Sequence, residues 1–285
     1  MLNRRTRRRQ GSEPTRQSRI LNAWVDSMTM DDLLSRLHEG VLFTVNPDHL
    51  YHLQRNPDFA AAYSRADFVS SDSKYVYWAL GFLGRPIVSK LSGSDIVPAF
   101  WRHHAENPDV RIFLLGAKPG IAAQAQRRIN AEAGREIVVG AHGPSMNFVN
   151  DPAECDEAID MINQSGATVL IMGLGAPKQE IWIDRYRSRL PGVKIYMGVG
   201  ATIDYEAQAV KRAPRWMTQN GLEWVYRMTT EPRRYWRRYW RTLEFFKLVA
   251  LDKVGQYRPP PFLSPVTDPA DISAAAPPRR SFPRP

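Results

Sequence analysis

One stretch constrains the fold more than any other: Thr168 to Asp184, which reads T-V-L-I-M-G-L-G-A-P-K-Q-E-I-W-I-D. Thr168 to Met172 is a run suited to a buried strand. A tight Gly-Leu-Gly turn follows at Gly173 to Gly175. Pro177 then stands where a first helical residue would, with φ preset and no N–H to satisfy. Ile181 and Trp182 give that helix an apolar face, and Gly192 closes it after Pro191. In an open α/β sheet such a turn lies at the carboxyl end of a strand, where ligands bind. Glycine lets the backbone approach a ligand closely, and a helix N-terminus favours a phosphate. Two readings stay open on the physics alone: a phosphate-facing turn, or an ordinary βα turn that needs glycine for its geometry.

The flanking chain repeats the alternation of strand, turn and helix. Residues 20–40 are expected to hold a short amphipathic helix, with Met30 to Leu34 in its body and Gly40 as its C-terminal cap. A strand over Val41 to Val45 ends in Asn46-Pro47-Asp48-His49, a turn-and-cap signal. A helix through Ala60 to Ala62 leads to a short strand at Asp67 to Ser70. That strand ends at Ser71-Asp72-Ser73, before a helix carrying Tyr75, Tyr77, Trp78 and Leu80. Further strands are expected at Val110 to Leu115, Glu136 to Val139 and Val193 to Val199, with helices between them. This pattern predicts an α/β fold, a mostly parallel sheet with helices on both faces.

The ends differ from the middle. Residues 1–19 carry a net +6 and residues 231–247 a net +4, which together make the whole formal charge of +10. Residues 1–19 are expected to be a disordered basic arm and 20–213 the α/β core. Residues 214–254 form a helical, Arg- and aromatic-rich appendage expected to associate with membrane, and 255–285 a disordered Pro-rich tail. Cationic ends on a neutral domain point to an anionic partner, either a membrane surface or nucleic acid. The chain has no recognisable nucleic-acid-binding motif, so nucleic acid is not expected. No apolar run approaches the roughly 20 residues of a membrane span, and the basic N-terminus has no apolar segment behind it. The single cysteine, Cys155, excludes a disulfide framework and a cysteine-rich zinc site.

On a helix from Glu231 to Lys253, Arg233, Arg234, Arg237, Arg238 and Arg241 project within an arc of about 140°, with aromatic residues opposite. Two readings stay open here too. The aromatic face packs on the core with the arginines solvated, or the helix lies in a membrane interface.

The polar residues of interest fall at strand ends: Thr44, Asn46, Asp72, Gln179 and Asp204. Parallel strand ends converge on one crevice. An aspartate there can serve as a general base or as a helix cap, and Asp72, between two serines, fits both. A dinucleotide fingerprint fails because Lys178 stands where its third glycine is needed. No P-loop occurs. The histidine pairs His49/His52 and His103/His104 lack acidic or cysteine partners in phase, so no metal site is expected.

Several motifs in register then carry a resemblance. G-L-G-A-P-K-Q-E at 173–180, G-V-G-A at 198–201 with Asp204, K-R-A-P-R-W at 211–216 and G-L-E-W-V-Y-R at 221–227 resemble the WecG/TagA/CpsF glycosyltransferases, glycosyltransferase family 26. T-V-N at 44–46, Ala66-Asp67, L-S-G-S-D at 91–95 and F-L-L-G-A-K-P-G at 113–120 agree in order and spacing, so the resemblance covers about residues 25–240.

The resemblance implies a Rossmann-like core at the cytoplasmic face of the bacterial membrane. It implies inverting, metal-independent transfer of a sugar from a nucleotide-sugar, usually a UDP-sugar, to an undecaprenyl-diphosphate-linked acceptor. No cofactor is implied, the UDP-sugar being the donor substrate. The family's proposed base falls on Asp72. Thr44, Asn46, Gln179 and Asp204 match pocket positions, Gly173 and Gly175 form the turn facing the diphosphate, and Arg227, Arg234 and Arg237 match arginines that complete the site. The sequence departs from the pattern at Ser73, where glycine is usual, at Lys90, where arginine is usual, at His142-Gly143-Pro144-Ser145, and at Gln208, where glycine is usual. The donor sugar therefore stays open among N-acetylmannosamine, its uronic acid and glucose, and whether copies of the chain associate is open as well. The rival reading is a non-catalytic UDP-sugar or membrane-surface binding module on a degenerate core.

Overall fold

The computed structural model describes residues 17–210, 217 and 232–263, and of 232–240 the backbone alone. Two short strands, β1 (Gln17–Ile20) and β2 (Ala23–Asp26), pair as an antiparallel hairpin. Six more follow: β3 (Gly40–Val45), β4 (Phe68–Ser71), β5 (Ile112–Gly116), β6 (Val138–His142), β7 (Val169–Gly173) and β8 (Ile195–Gly198). They form one parallel sheet in the order β4-β3-β8-β7-β5-β6. The α/β class expected from the alternation is thus found, and the sheet is Rossmann-like. Strands such as β7 are buried along nearly their whole length. That is why they read as continuous apolar runs rather than as alternating ones.

Ten helices are described: α1 (Met30–Arg36), α2 (Pro47–Leu53), α3 (Pro57–Ser64), α4 (Lys74–Phe82), α5 (Gly93–His103), α6 (Ile121–Ala133), α7 (Pro152–Ser165), α8 (Lys178–Tyr186), α9 (Thr202–Glu206) and α10 (Pro232–Lys253). The buried side chains fall into two clusters. Helices α2, α3, α4, α7, α8 and α10 contribute to one, and α1, α5, α6 and α9 to the other. Each cluster covers one face of the sheet.

The N-terminal region differs from expectation. Gln17–Ile20, at the end of the arm expected to be disordered, pair with Ala23–Asp26 in a hairpin that precedes α1, the helix expected within residues 20–40. Ile20, Ala23 and Val25 are buried. The buried Asp26 carboxylate accepts from the Val69 amide at 2.7 Å. Val69 lies on β4, the outer strand of the sheet, so this bond satisfies a ladder donor that has no strand to receive it. Gln17 and Arg19 continue the polar, basic run before them, so β1 does not stand out as a strand. Gly40 is not the cap of α1, which ends at Arg36. It opens β3 at φ 113°, where a Cβ would come within 2.5 Å of the Asp67 carboxylate. Asp67 in turn accepts from the Val41 amide at 2.9 Å.

The C-terminal half of α10 is a packing element. Phe245 and Val249 are buried in the first cluster. Arg241 donates to the Asp48 carboxylate at 2.8 Å, and Asp252 is buried beside Arg85 at 3.0 Å. Residues 241–253 therefore pack on the core through one side of the helix, while the side chains of 232–240 lie outside the described residues. The tail expected to be disordered from residue 255 is ordered to Leu263. Tyr257 packs against the first cluster and donates to Gln54 at 2.7 Å. No helix among the described residues is long and apolar enough to cross a membrane.

Candidate active site

Four adjacent strands, β4-β3-β8-β7, end on one edge, and their ends carry the residues singled out from sequence. Helix α2 leaves β3 toward one face of the sheet and α9 leaves the neighbouring β8 toward the other. Divergence of this kind opens a crevice at the strand ends.

The turns at this edge are nested. A Cβ on Gly116, the last residue of β5, would lie 2.6 Å from the Gly173 backbone. A Cβ on Gly173, the last residue of β7, would lie 2.7 Å from the Gly200 carbonyl oxygen. Three neighbouring strand ends thus approach closer than any side chain allows. Gly175 and Gly200 meet no such crowding, but they adopt φ of 79° and 59°, the left-handed region that glycine enters without cost. Pro177 is the residue before α8 rather than its first, and the helix starts at Lys178.

Gln179 fastens these turns. Its side-chain oxygen accepts from the Gly175 amide and the Gly200 amide, each at 3.1 Å. Its Nε2 donates to Glu180 Oε1 at 2.8 Å. Thr44, 3 % exposed, donates from Oγ1 to the Gly198 carbonyl at 3.4 Å and joins β3 to β8. Asn46 caps α2 by accepting from the Asp48 and His49 amides at 3.0 and 3.2 Å. That cap uses the Asn46 oxygen alone.

Asp72 follows the last residue of β4 and is half-buried. Its amide donates to the Val45 carbonyl at 2.9 Å, which holds it beside the end of β3. The cap of α4 is Ser73, whose side chain accepts from the Tyr75 amide at 3.1 Å. The capping explanation for Asp72 therefore passes to its neighbour, and the departure at Ser73 gains a structural role. Lys90 lies 3.4 Å from Asp95. Its segment lies beside β4, where Ser70 donates to the adjacent Leu91 carbonyl at 2.9 Å. Asp204 sits in the first turn of α9, half-buried. Arg227 lies outside the described residues, and of Arg234 and Arg237 the backbone alone is described, in the N-terminal half of α10.

Two other departures also have a local account. Gln208 adopts φ 54°, which explains why glycine suits the position. In the His142–Ser145 loop, the Ser145 amide and hydroxyl both donate to Glu154 at 2.6 Å, and Gly143 packs where a Cβ would meet the Lys118 carbonyl at 2.7 Å.

A buried polar cluster behind the crevice was missed from sequence. Glu180 is fully buried. Burial pushes its carboxyl up to about 7, against the opposing pull of the Gln179 hydrogen bond. Its Oε2 has no hydrogen-bond partner among the described residues. His49 Nδ1 lies 2.6 Å from the Tyr63 hydroxyl and 3.9 Å from Glu180 Oε1. Burial raises the Tyr63 hydroxyl well above its ordinary value, and the Glu180 and Asp72 carboxylates add to the effect. In K-Q-E an acid after a glutamine reads as a solvated helix residue, so nothing in the pattern marks Glu180.

Comparison with known proteins gives the family. Residues 18–259 match the Glycosyl transferase WecG/TagA/CpsF family. The chain is 32% identical over 198 residues to the N-acetylglucosaminyldiphosphoundecaprenol N-acetyl-beta-D-mannosaminyltransferase of Bacillus spizizenii, an alignment covering 69% of this chain and 73% of that protein. A match over most of the chain, with the expected parallel sheet beneath it, makes this protein a glycosyltransferase of the WecG/TagA/CpsF family.

Proposed function

We propose that the protein transfers a sugar from a UDP-sugar to an undecaprenyl-diphosphate-linked acceptor during synthesis of a bacterial surface polysaccharide. Transfer inverts the anomeric centre and needs no metal. The relative's name, which specifies a diphosphoundecaprenol-linked acceptor and an N-acetylmannosaminyl group, supports the acceptor class. The donor diphosphate lies against the glycine turns after β7 and β8, and Thr44, Asn46 and Asp204 line the crevice. The Asp72 carboxylate takes the proton of an acceptor hydroxyl as that oxygen bonds to the anomeric carbon. The bond from that carbon to the diphosphate oxygen breaks, and UDP leaves. The departing charge needs cationic stabilisation, assigned to Lys90 and to Arg227, Arg234 and Arg237. The protein works peripherally at the inner face of the plasma membrane.

The observation that carries this reading is the placement of Asp72. It stands at the end of β4 beside β3, while Ser73 does the capping of α4. The test is a donor screen. Each UDP-sugar is offered with a short-chain lipid-diphosphate monosaccharide or disaccharide, in EDTA, and the product is read by mass. A mass gain of one sugar from one donor is expected. No transfer from any UDP-sugar, or transfer only after Mg²⁺ or Mn²⁺ is restored, would contradict the reading.

A further inference from the structure

Helix α4 is apolar around its whole circumference. Its sequence, K-Y-V-Y-W-A-L-G-F, carries one charge, Lys74. Val76, Ala79 and Leu80 are buried against the sheet. A helix that meets only water on its other side is polar there. Instead the outer side presents Trp78 at 46% exposure and Phe82 at 57%. The described half of α10 repeats the inversion. Phe245 and Val249 point inward, while Leu243 and Phe246 are each 44% exposed.

The two outer faces adjoin. The Tyr75 ring packs edge-to-face on Trp78, with centroids 5.9 Å apart, and on Phe246, at 5.6 Å. Lys253 donates to the Phe82 carbonyl at 2.7 Å and lies 5.1 Å from the ring centroid. Lys74 lies 5.9 Å from the Trp78 ring centroid, and the exposed Lys247 follows Phe246 on α10, so with Lys253 three lysines accompany the ridge. Two of the nearby acids are engaged by arginines, Glu244 by Arg55 and Asp252 by Arg85. An aromatic ridge accompanied by lysines matches the boundary between acyl chains and anionic headgroups. A second copy docked on the same face would bring its own lysines to the contact, whereas anionic headgroups pair with them.

We propose that the α4–α10 ridge is the surface by which the protein docks on a bilayer containing anionic lipid. The proposal rests on the membrane-associated part of the function above and gives that contact a place. Trp78 lies roughly 7 Å along the helix axis from the Ser73 cap, at 1.5 Å per residue. Docking on this ridge therefore sets the end of β4, with Asp72, beside the headgroups.

The test uses the full chain and co-sedimentation with vesicles of phosphatidylcholine, with and without phosphatidylglycerol. The unaltered protein is expected to bind the anionic vesicles, less so as salt rises. The double variant Trp78→Glu/Phe82→Glu should lose about tenfold or more of that partition. Lys74→Glu/Lys247→Glu, which leaves the aromatic residues in place, should lose a similar share. Arg102→Glu changes the charge by the same two units as the aromatic double variant. It lies on α5, on the opposite face of the sheet, and should bind as the unaltered chain does. Transfer to a short-chain, water-soluble acceptor should persist in the aromatic double variant, which reports a folded enzyme. Loss of that transfer in the unaltered protein would overturn the proposed reaction while leaving the vesicle result readable. Unchanged vesicle binding in both double variants overturns the ridge. If that result came with a change in sedimenting mass, the ridge would be a face between copies. If it came with a raised KM for long-chain acceptor alone, the ridge would hold the acceptor's own chain.

Discussion

The Gln179 side-chain oxygen accepts from the backbone amide of Gly200 at 3.1 Å, and so ties the turn after β8 to the helix that leaves β7. The same oxygen holds Gly175. One side chain thus sets the spacing of the two turns assigned to the donor diphosphate.

Gln179→Ala leaves both amides without that acceptor. An unsatisfied, part-buried donor costs about 1–3 kcal/mol. Unfolding in urea should show a loss of that order, and titration with UDP should show weaker binding than in the unaltered protein. Stability and UDP affinity both unchanged would mean that water replaces the glutamine and that the staple is incidental.

The nested turns give a sharper contrast between two glycines. In Gly173→Ala the new methyl would sit 2.7 Å from the Gly200 carbonyl oxygen, a backbone atom with little room to yield. Overpacking of this kind costs about 1–3 kcal/mol. Gly81, in α4, has no atom within 4 Å of its built Cβ. Gly81→Ala should therefore gain about 0.5–1 kcal/mol from helix propensity. Thermal melts of the two variants should move in opposite directions, and parallel shifts would refute the close packing of the turns.

Glu180 makes stability depend on pH. Its folded carboxyl is raised to about 7 from an ordinary 4.5. Between those values the folded state holds a proton that the unfolded chain has released, so stability falls as pH rises through that window. Glu180→Gln keeps a neutral side chain at every pH. Its stability should change less between pH 5 and 7, and at pH 8 it should exceed the unaltered protein by up to about 3 kcal/mol. Parallel stability curves would show that Glu180 is ionised in the fold or titrates normally.

The fold was legible where the pattern was long and local. The buried run of β7 and its glycine turn could be read directly, since a strand covered on both faces is continuously apolar. The hairpin of β1 and β2 could not. Strand β1 continues a polar, basic run without an apolar stretch to mark it, and the partner of the Asp26 carboxylate is 43 residues away in sequence. At the site, Asn46 read correctly as a cap. At Ser71-Asp72-Ser73 three residues could each cap the same helix, and the backbone gives the role to Ser73. Glu180, His49 and Tyr63 come together only through packing of α2, α3 and α8, so no spacing in the chain announces them. On α10, helical projection separated arginines from aromatics. It could not reveal that Phe245 and Val249 face inward while Phe246 faces out beside Tyr75.

The central claim is that Asp72 is the base of the transfer. The direct measurement is steady-state turnover of Asp72→Asn with the donor identified by the screen, beside its UDP affinity and its melting temperature. The substitution keeps shape and removes the charge. Fold and UDP binding are expected to stay, with turnover down by about two orders of magnitude or more. Turnover near that of the unaltered protein would contradict the assignment and pass the role to Asp204.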